Sequence, residues 1–193
     1  MKIMNKRLLK TLISLIILLI MLLPSASCSR QSDEESLAIA RDLIDRAYTL
    51  NVVYYGEGLP FYDDDDNNVA GNYYRVRDDA PFTIRNDLLV ETKAVFSENL
   101  ADGVISVYLD GTSNMGVVVY ARYLTGPDGY LAVYKDYDNS VENVQKYDTS
   151  TVKLLKNRKN KMVVSVSTTD GSEQIEVELV YEKNGWRIDS MTY

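Results

Sequence analysis

Three patterns of apolar and polar positions follow one another along the chain. Leu12 to Leu23 is an apolar run broken only by Ser14. A helical pattern comes next. Leu37, Ala40, Leu43, Ile44, Ala47 and Tyr48 fall on one side of a 3.6-residue period, and Arg41, Asp42, Asp45 and Arg46 on the other. Ser32-Asp33-Glu34-Glu35 supplies a capping box just ahead of it. The spacing predicts an amphipathic helix running to about Tyr54. Two further helices are predicted. One runs from Ile84 to about Phe96 behind a Thr83 cap, with Leu88, Leu89, Thr92 and Val95 inward. The other runs from a Ser97 cap to about Leu109, with Leu100, Val104, Val107 and Tyr108 inward. Gly103 weakens this last helix, and Gly111 sits where it would end.

From Val117 onward the period changes to two. Strands are expected over Val117 to Leu124, Tyr130 to Lys135, Thr151 to Lys156, Lys161 to Thr168, Glu173 to Tyr181 and Trp186 to Thr192. Ile175, Val177, Leu179 and Tyr181 alternate with Gln174, Glu176 and Glu178, the mark of a half-buried antiparallel strand. Gly126-Pro127-Asp128-Gly129, Asp170-Gly171 and Asn184-Gly185 read as tight turns. Asn72 to Arg77 makes a short earlier strand. Gly56 to Gly71 and Asp136 to Tyr147 have no period and read as exposed loops. Helices first and strands afterwards imply an α+β fold: amphipathic N-terminal helices packed on a curved antiparallel meander sheet, in one domain.

The leader changes the picture of where this domain works. Lys2, Lys6, Arg7 and Lys10 precede the apolar run, which is short for a membrane span, and small residues follow it. Ser25-Ala26-Ser27-Cys28 resembles the lipobox of bacterial lipoproteins, although Ser25 stands where Leu is commonest. The resemblance implies that Cys28 is acylated and becomes the first residue of the mature chain. The alternative is an ordinary cleavable signal with a chance cysteine. The expected division is a signal peptide over 1–27, a tether over 28–36 and a single domain over 37–193. The mature protein is expected outside the cytoplasm, lipid-anchored to the bacterial cell membrane. Cys28 is the only cysteine, so no disulfide supports the fold.

Charge and composition exclude several classes. Four of the 21 basic residues and none of the 28 acidic ones lie in the leader, so the chain from Cys28 on carries 17 against 28, a net of −11. Nucleic acid is therefore not an expected partner. There is no histidine. That removes Ser-His and Cys-His nucleophiles, imidazole metal ligands and the usual proton shuttle near neutrality. Ser150-Thr151-Val152-Lys153 matches the serine-lysine motif of penicillin-interacting enzymes, but it opens a strand and lacks the companion motifs. Asp63, Asp65 and Asn67 open like a calcium loop, yet Asn68 and Tyr74 occupy the places that need Gly and Glu. Asp136-Tyr137-Asp138-Asn139 is a second acidic cluster of the same kind. No enzyme activity, cofactor or metal is expected.

Asn72-Tyr73-Tyr74-Arg75-Val76, Pro81-Phe82-Thr83-Ile84, Asp87-Leu88, Val95-Phe96-Ser97, Ala121-Arg122-Tyr123-Leu124, Asp128-Gly129-Tyr130-Leu131 and Asn184-Gly185-Trp186-Arg187-Ile188 occur in an order that resembles the IseA-like family of secreted DL-endopeptidase inhibitors. The resemblance implies a non-enzymatic protein that binds a cell-wall peptide hydrolase and blocks its cleft. The expected partner is such a hydrolase or another envelope protein, met by a monomer. Phe61, Tyr62, Asp63, Asp64, Asp65 and Asp66 join aromatic anchors to negative charge and are the expected partner-binding residues. A lipoprotein of the nuclear-transport-factor-like or cystatin-like kind is the weaker resemblance. It implies a small-ligand pocket lined by tyrosines and Trp186.

Overall fold

The hydroxyl of Ser32 accepts the Glu35 amide, and the Glu35 carboxylate accepts the Ser32 amide. This reciprocal box starts α1, Asp33–Tyr54. In the computed structural model, residues 32–114, 117–137 and 144–192 are described, with backbone alone over 112–119. The leader, Cys28, Asp138 and Asn139 lie outside them. The residues from Ser32 onward form one compact unit, and α1 begins inside the stretch allotted to the tether.

The fold is α+β. After α1 come a 3-10 turn at Asp65–Asn67, β1 (Asn68–Ala70) and β2 (Tyr73–Arg75). Then follow α2 (Arg85–Val95), α3 (Glu98–Ile105) and a π-helical turn at Ser106–Asp110. The remaining strands are β3 (Thr112–Asn114), β4 (Val117–Val119), β5 (Tyr123–Thr125), β6 (Leu131–Tyr134), β7 (Tyr147–Arg158), β8 (Lys161–Thr168), β9 (Gln174–Glu182) and β10 (Gly185–Ile188). Among the described residues no helix is long and apolar enough to cross a membrane.

The strands divide between two four-stranded antiparallel sheets. The expected meander is β7 to β10, in sheet order β10-β9-β8-β7. The second sheet runs β1-β2-β6-β5, and β3 pairs with β4 apart from both. Alternation along β8 and β9 aims Met162, Val164, Val166, Val177 and Leu179 at the core, all buried. Ala40, Leu43, Ile44, Ala47 and Leu50 of α1 are buried in the same cluster. Burying each large aliphatic side chain of this kind stabilises the fold by about 1.5–3 kcal/mol. Ser97 caps α3 as expected, and its hydroxyl also donates to Asp189, tying the helix pair to the end of the last strand.

Four local expectations are corrected. Thr83 does not cap α2; its carbonyl accepts the Leu131 amide, and Ile84 takes the cap position without a side-chain bond. The third helix stops at Ile105 and widens into the π turn, which Gly111 ends at φ 69. The run from Val117 to Leu124 is two strands, separated by a break at Tyr120 to Arg122. The last hairpin turns at Lys183-Asn184, with φ 46 and 70, and not at Asn184-Gly185; Gly185 already pairs with Glu182.

The break between β4 and β5 sends Arg122 into the interior. Its Nη1 donates to the Tyr54 carbonyl at 2.9 Å and its Nη2 to the Gly56 carbonyl at 2.7 Å. These carbonyls sit at the C-terminus of α1, whose last turn contains no basic residue. The guanidinium therefore supplies the positive charge that a helix C-terminus favours. Next to it, buried Tyr123 donates to the Val53 carbonyl and accepts the Leu59 amide. Burial pushes the Tyr123 hydroxyl up to about 12.

Candidate functional site

Strand register assigns each residue of the β1-β2-β6-β5 sheet to a face. Tyr74 pairs with Val133, and Val133 with Tyr123; Tyr123 and Val133 are buried, so this row faces the core. Tyr73 pairs with Tyr134, and Arg75 with Ala132, on the opposite face, where Tyr73 and Ala132 are themselves buried and Tyr134 and Arg75 half-buried. Phe61 bridges Val76, and Tyr62 donates its amide to the Arg75 carbonyl. Phe61 thus joins the inward row, and Tyr62 lies beside Arg75 on the opposite face.

Tyrosines cover this opposite face. Tyr120, 60% exposed, stacks on Tyr134 with ring centroids 5.6 Å apart and planes at 22°. Tyr134 in turn packs at 5.1 Å against Tyr73, whose hydroxyl donates to the Ala121 carbonyl. The Arg75 guanidinium lies 4.0 Å from the Tyr130 ring centre and 5.8 Å from that of Tyr62. Two carboxylates hold it there: Asp128 at 3.1 Å and Asp78 at 2.9 Å. The result is a rigid aromatic platform with a cation already saturated by acid. Such amphipathic rings provide contact area at low entropic cost.

The acidic run follows Tyr62, and its one ion pair among the described residues lies on the Tyr74 side of the sheet. Lys135 pairs with Asp63, a contact that raises the lysine's affinity for its proton, and its Nζ lies 5.3 Å from the Tyr74 ring centre. Asp64 accepts both the amide and the side-chain nitrogen of Asn67, and so caps the 3-10 turn that contains Asp65 and Asp66. Asp63 to Asp66 are all exposed. Among the described residues no cation pairs with Asp64, Asp65 or Asp66. Nor do three or more carboxylates converge as a metal site would need, again among the described residues.

The six expected partner-binding residues do not share one face. Phe61 packs inward, Tyr62 lies beside Arg75 on the other face, and the four aspartates are exposed. Sequence reasoning missed Tyr73, Arg75, Tyr120, Tyr130 and Tyr134. The alternation of Tyr73 and Arg75 around Tyr74 was a usable signal for one row of that face. The pairing that adds Tyr134 and Tyr120 lies far away in sequence.

Two other places bear on chemistry. Ser150 of the serine-lysine motif donates to Asp148 at 2.6 Å, within a turn at the start of β7, and no hydrogen bond joins it to Lys153. A cleft of about 110 Å³ lies between α2, α3 and the β9–β10 hairpin, with Phe96 and Ala101 in its lining. Four of its charged side chains bond within the protein. Lys183 pairs with Glu98, Glu182 accepts the Glu98 amide, and Arg187 donates to the Lys93 carbonyl. No protein-family model matches the chain, and no curated protein matches it.

Proposed function

We propose that this is a non-enzymatic binding protein, lipid-anchored through Cys28 outside the bacterial cytoplasm, whose tyrosine platform docks a protein of the cell envelope. The observation that carries the proposal is the stacked Tyr120–Tyr134 pair beside the Arg75–Tyr130 clamp, with Asp64 to Asp66 of the loop after Tyr62 exposed and unpaired among the described residues. Accessible aromatics beside arginine are the composition of interface hot spots, and exposed charge of one sign steers a partner of the opposite sign. The resemblance to IseA-like inhibitors makes a peptidoglycan DL-endopeptidase the first partner to try. In that reading the platform covers the hydrolase cleft, and Asp63 to Asp66 meet basic or polar groups on its lip. No bond is made or broken by the protein itself.

The test is capture from envelope extract with the purified protein, followed by an assay of the captured hydrolase. A peptidoglycan hydrolase should be recovered, and its activity should drop in the complex. Tyr120→Ala with Tyr134→Ala should abolish capture, and replacing Asp63 to Asp66 by Ser should weaken it. Undiminished capture by both variants removes the platform reading.

A further inference from the structure

The chain is acidic, yet one edge of it is not. Residues 149–169 contain five cations, Lys153, Lys156, Arg158, Lys159 and Lys161, and no carboxylate. They lie on β7 and the tip of the β7–β8 hairpin, where Arg158 pairs with Lys161 across a two-residue turn. Register again fixes the faces. Asn157 pairs with buried Met162 and faces α1, whereas Lys156 pairs with Val163 and Lys153 with Ser165 on the opposite face. Lys161 is neutralised by Glu178 at 2.7 Å. Among the described residues the other four cations meet no carboxylate, and all four are exposed. Between them Leu155 is 47% exposed, although it lies in a strand.

Two acids at the start of α1 are engaged elsewhere. Asp33 accepts the Asn157 side chain on the helix side of the sheet, and Glu35 closes the Ser32 capping box. Glu176 and Glu178 lie on β9, with β8 between them and β7, roughly 10 Å away in the plane of the sheet. β7 is an edge strand of that sheet. The basic row therefore lies along an outer edge of the molecule.

The place of this edge relative to the chain's start decides its partner. The Asn157 side chain reaches Asp33 at 3.0 Å and Ser36 at 3.1 Å, so the first turn of α1 is bonded to the base of the basic tip. Three residues separate Cys28 from Ser32. Their four Cα-to-Cα steps reach at most about 14 Å when fully extended. An acyl group on Cys28 would thus keep Ser32 within about 14 Å of a bilayer surface, with the base of the basic tip bonded to the following turn.

We infer that Lys153, Lys156, Arg158 and Lys159 form a membrane-facing edge that rests on anionic phospholipid headgroups, with Leu155 entering the interface between them. The inference rests on the lipid-anchor reading of Cys28 and deepens it: the anchor holds the molecule, and the basic edge sets its orientation. The acyl anchor supplies the attachment, and the polybasic edge adds an attraction to anionic lipid that orients the molecule.

The test reconstitutes the purified mature protein on vesicles of phosphatidylcholine alone, or of phosphatidylcholine mixed with phosphatidylglycerol, and reads lysine acetylation by mass spectrometry. Lys153, Lys156 and Lys159 should react about tenfold more slowly on the anionic vesicles, at unchanged Lys93 and Lys183, and high salt should erase the difference. Equal rates on both vesicles overturn the inference. Equal protection by soluble polyglycerol phosphate without vesicles also overturns it, because the edge would then serve a wall polymer. Flotation with neutral vesicles reads the acyl anchor separately. Failure there defeats the anchor and leaves the protection on anionic vesicles as the readout of the edge. A Lys153→Gln/Lys156→Gln/Arg158→Gln/Lys159→Gln variant should float with neutral vesicles as wild type does and lose the added affinity for anionic ones.

Discussion

Gly58 leaves no room for a side chain because Arg122 lies directly over it. A Cβ on Gly58 would stand 2.4 Å from Arg122 Nη2, and Gly58 has φ 84, in the left-handed region. The glycine and the buried arginine therefore form one device. The chain must turn back tightly after α1, and the guanidinium fills the turn while bonding the Tyr54 and Gly56 carbonyls. Gly58→Ala should cost about 2–4 kcal/mol in urea unfolding, from backbone strain and displacement of the guanidinium together. In an Arg122→Ala background the same change should cost only the backbone share, about 1–2 kcal/mol. Additive losses across this double-mutant cycle would separate the two residues.

The C-terminal end is pinned by one side chain. Asn51 of α1 is buried, and its Nδ2 donates to the Thr192 carbonyl at 2.8 Å and hydroxyl at 2.9 Å. Asn51→Ala would leave that carbonyl buried without a donor. A loss of about 1–3 kcal/mol is expected, seen as a fall in Tm of roughly 5 °C. An unchanged Tm would show that the end is held by other contacts.

How much of this was legible beforehand depended on whether the signal was local. The Ser32 box, the α1 stripe and the alternation of Ile175, Val177 and Leu179 are local patterns backed by burial, and they became α1 and β9. The first four residues of β7, Tyr147 to Ser150, are mostly polar and carry no alternation. They are strand because Tyr147 and Asp148 pair with Thr168 and Ser167, a partner strand that local reading does not see. Arg122 read only as part of a continuous strand, since its role depends on a helix end more than sixty residues earlier. The acidic run drew attention by composition, but Phe61 and Tyr62 lie on opposite faces because of their pairing with Val76 and Arg75.

Acid should loosen the β8–β9 turn before the rest of the sheet. One oxygen of Asp170 accepts the Thr168 hydroxyl, the Ser172 amide and the Ser172 hydroxyl. These donors hold its carboxyl down at about 2. An unfolded aspartate titrates near 3.9. A depressed folded value means that the contribution is present in full above the unfolded pKa and is lost as pH falls toward about 2. Wild type should therefore exceed Asp170→Asn in urea midpoint at neutral pH, and the gap should close over that acid window. A constant gap would assign the difference to geometry and not to charge.

Acylation at Cys28 has its own readout. Cells fed a clickable fatty acid should label the wild-type protein and not Cys28→Ser, and the variant should leave the membrane fraction with its circular dichroism unchanged. The residues from Ser32 onward form a compact unit of their own. Labelling that persists in the variant would move the attachment elsewhere.

The platform and the acidic run should fail in different kinetic ways. Tyr120 and Tyr134 stack at the centre of the proposed contact surface, where truncation would remove area that is desolvated only after docking. Tyr120→Ala should therefore speed dissociation from the captured hydrolase by about tenfold or more and leave association almost unchanged. Asp64, Asp65 and Asp66 are exposed and unpaired among the described residues, so they act through their long-range field. Replacing all three by Asn should slow association severalfold, flatten its salt dependence and leave dissociation nearly as it was. Both quantities come from one surface-binding series over increasing ionic strength. Aspartate variants that altered dissociation alone would place the acidic run inside the contact, and the platform would then be the wrong centre for the interface.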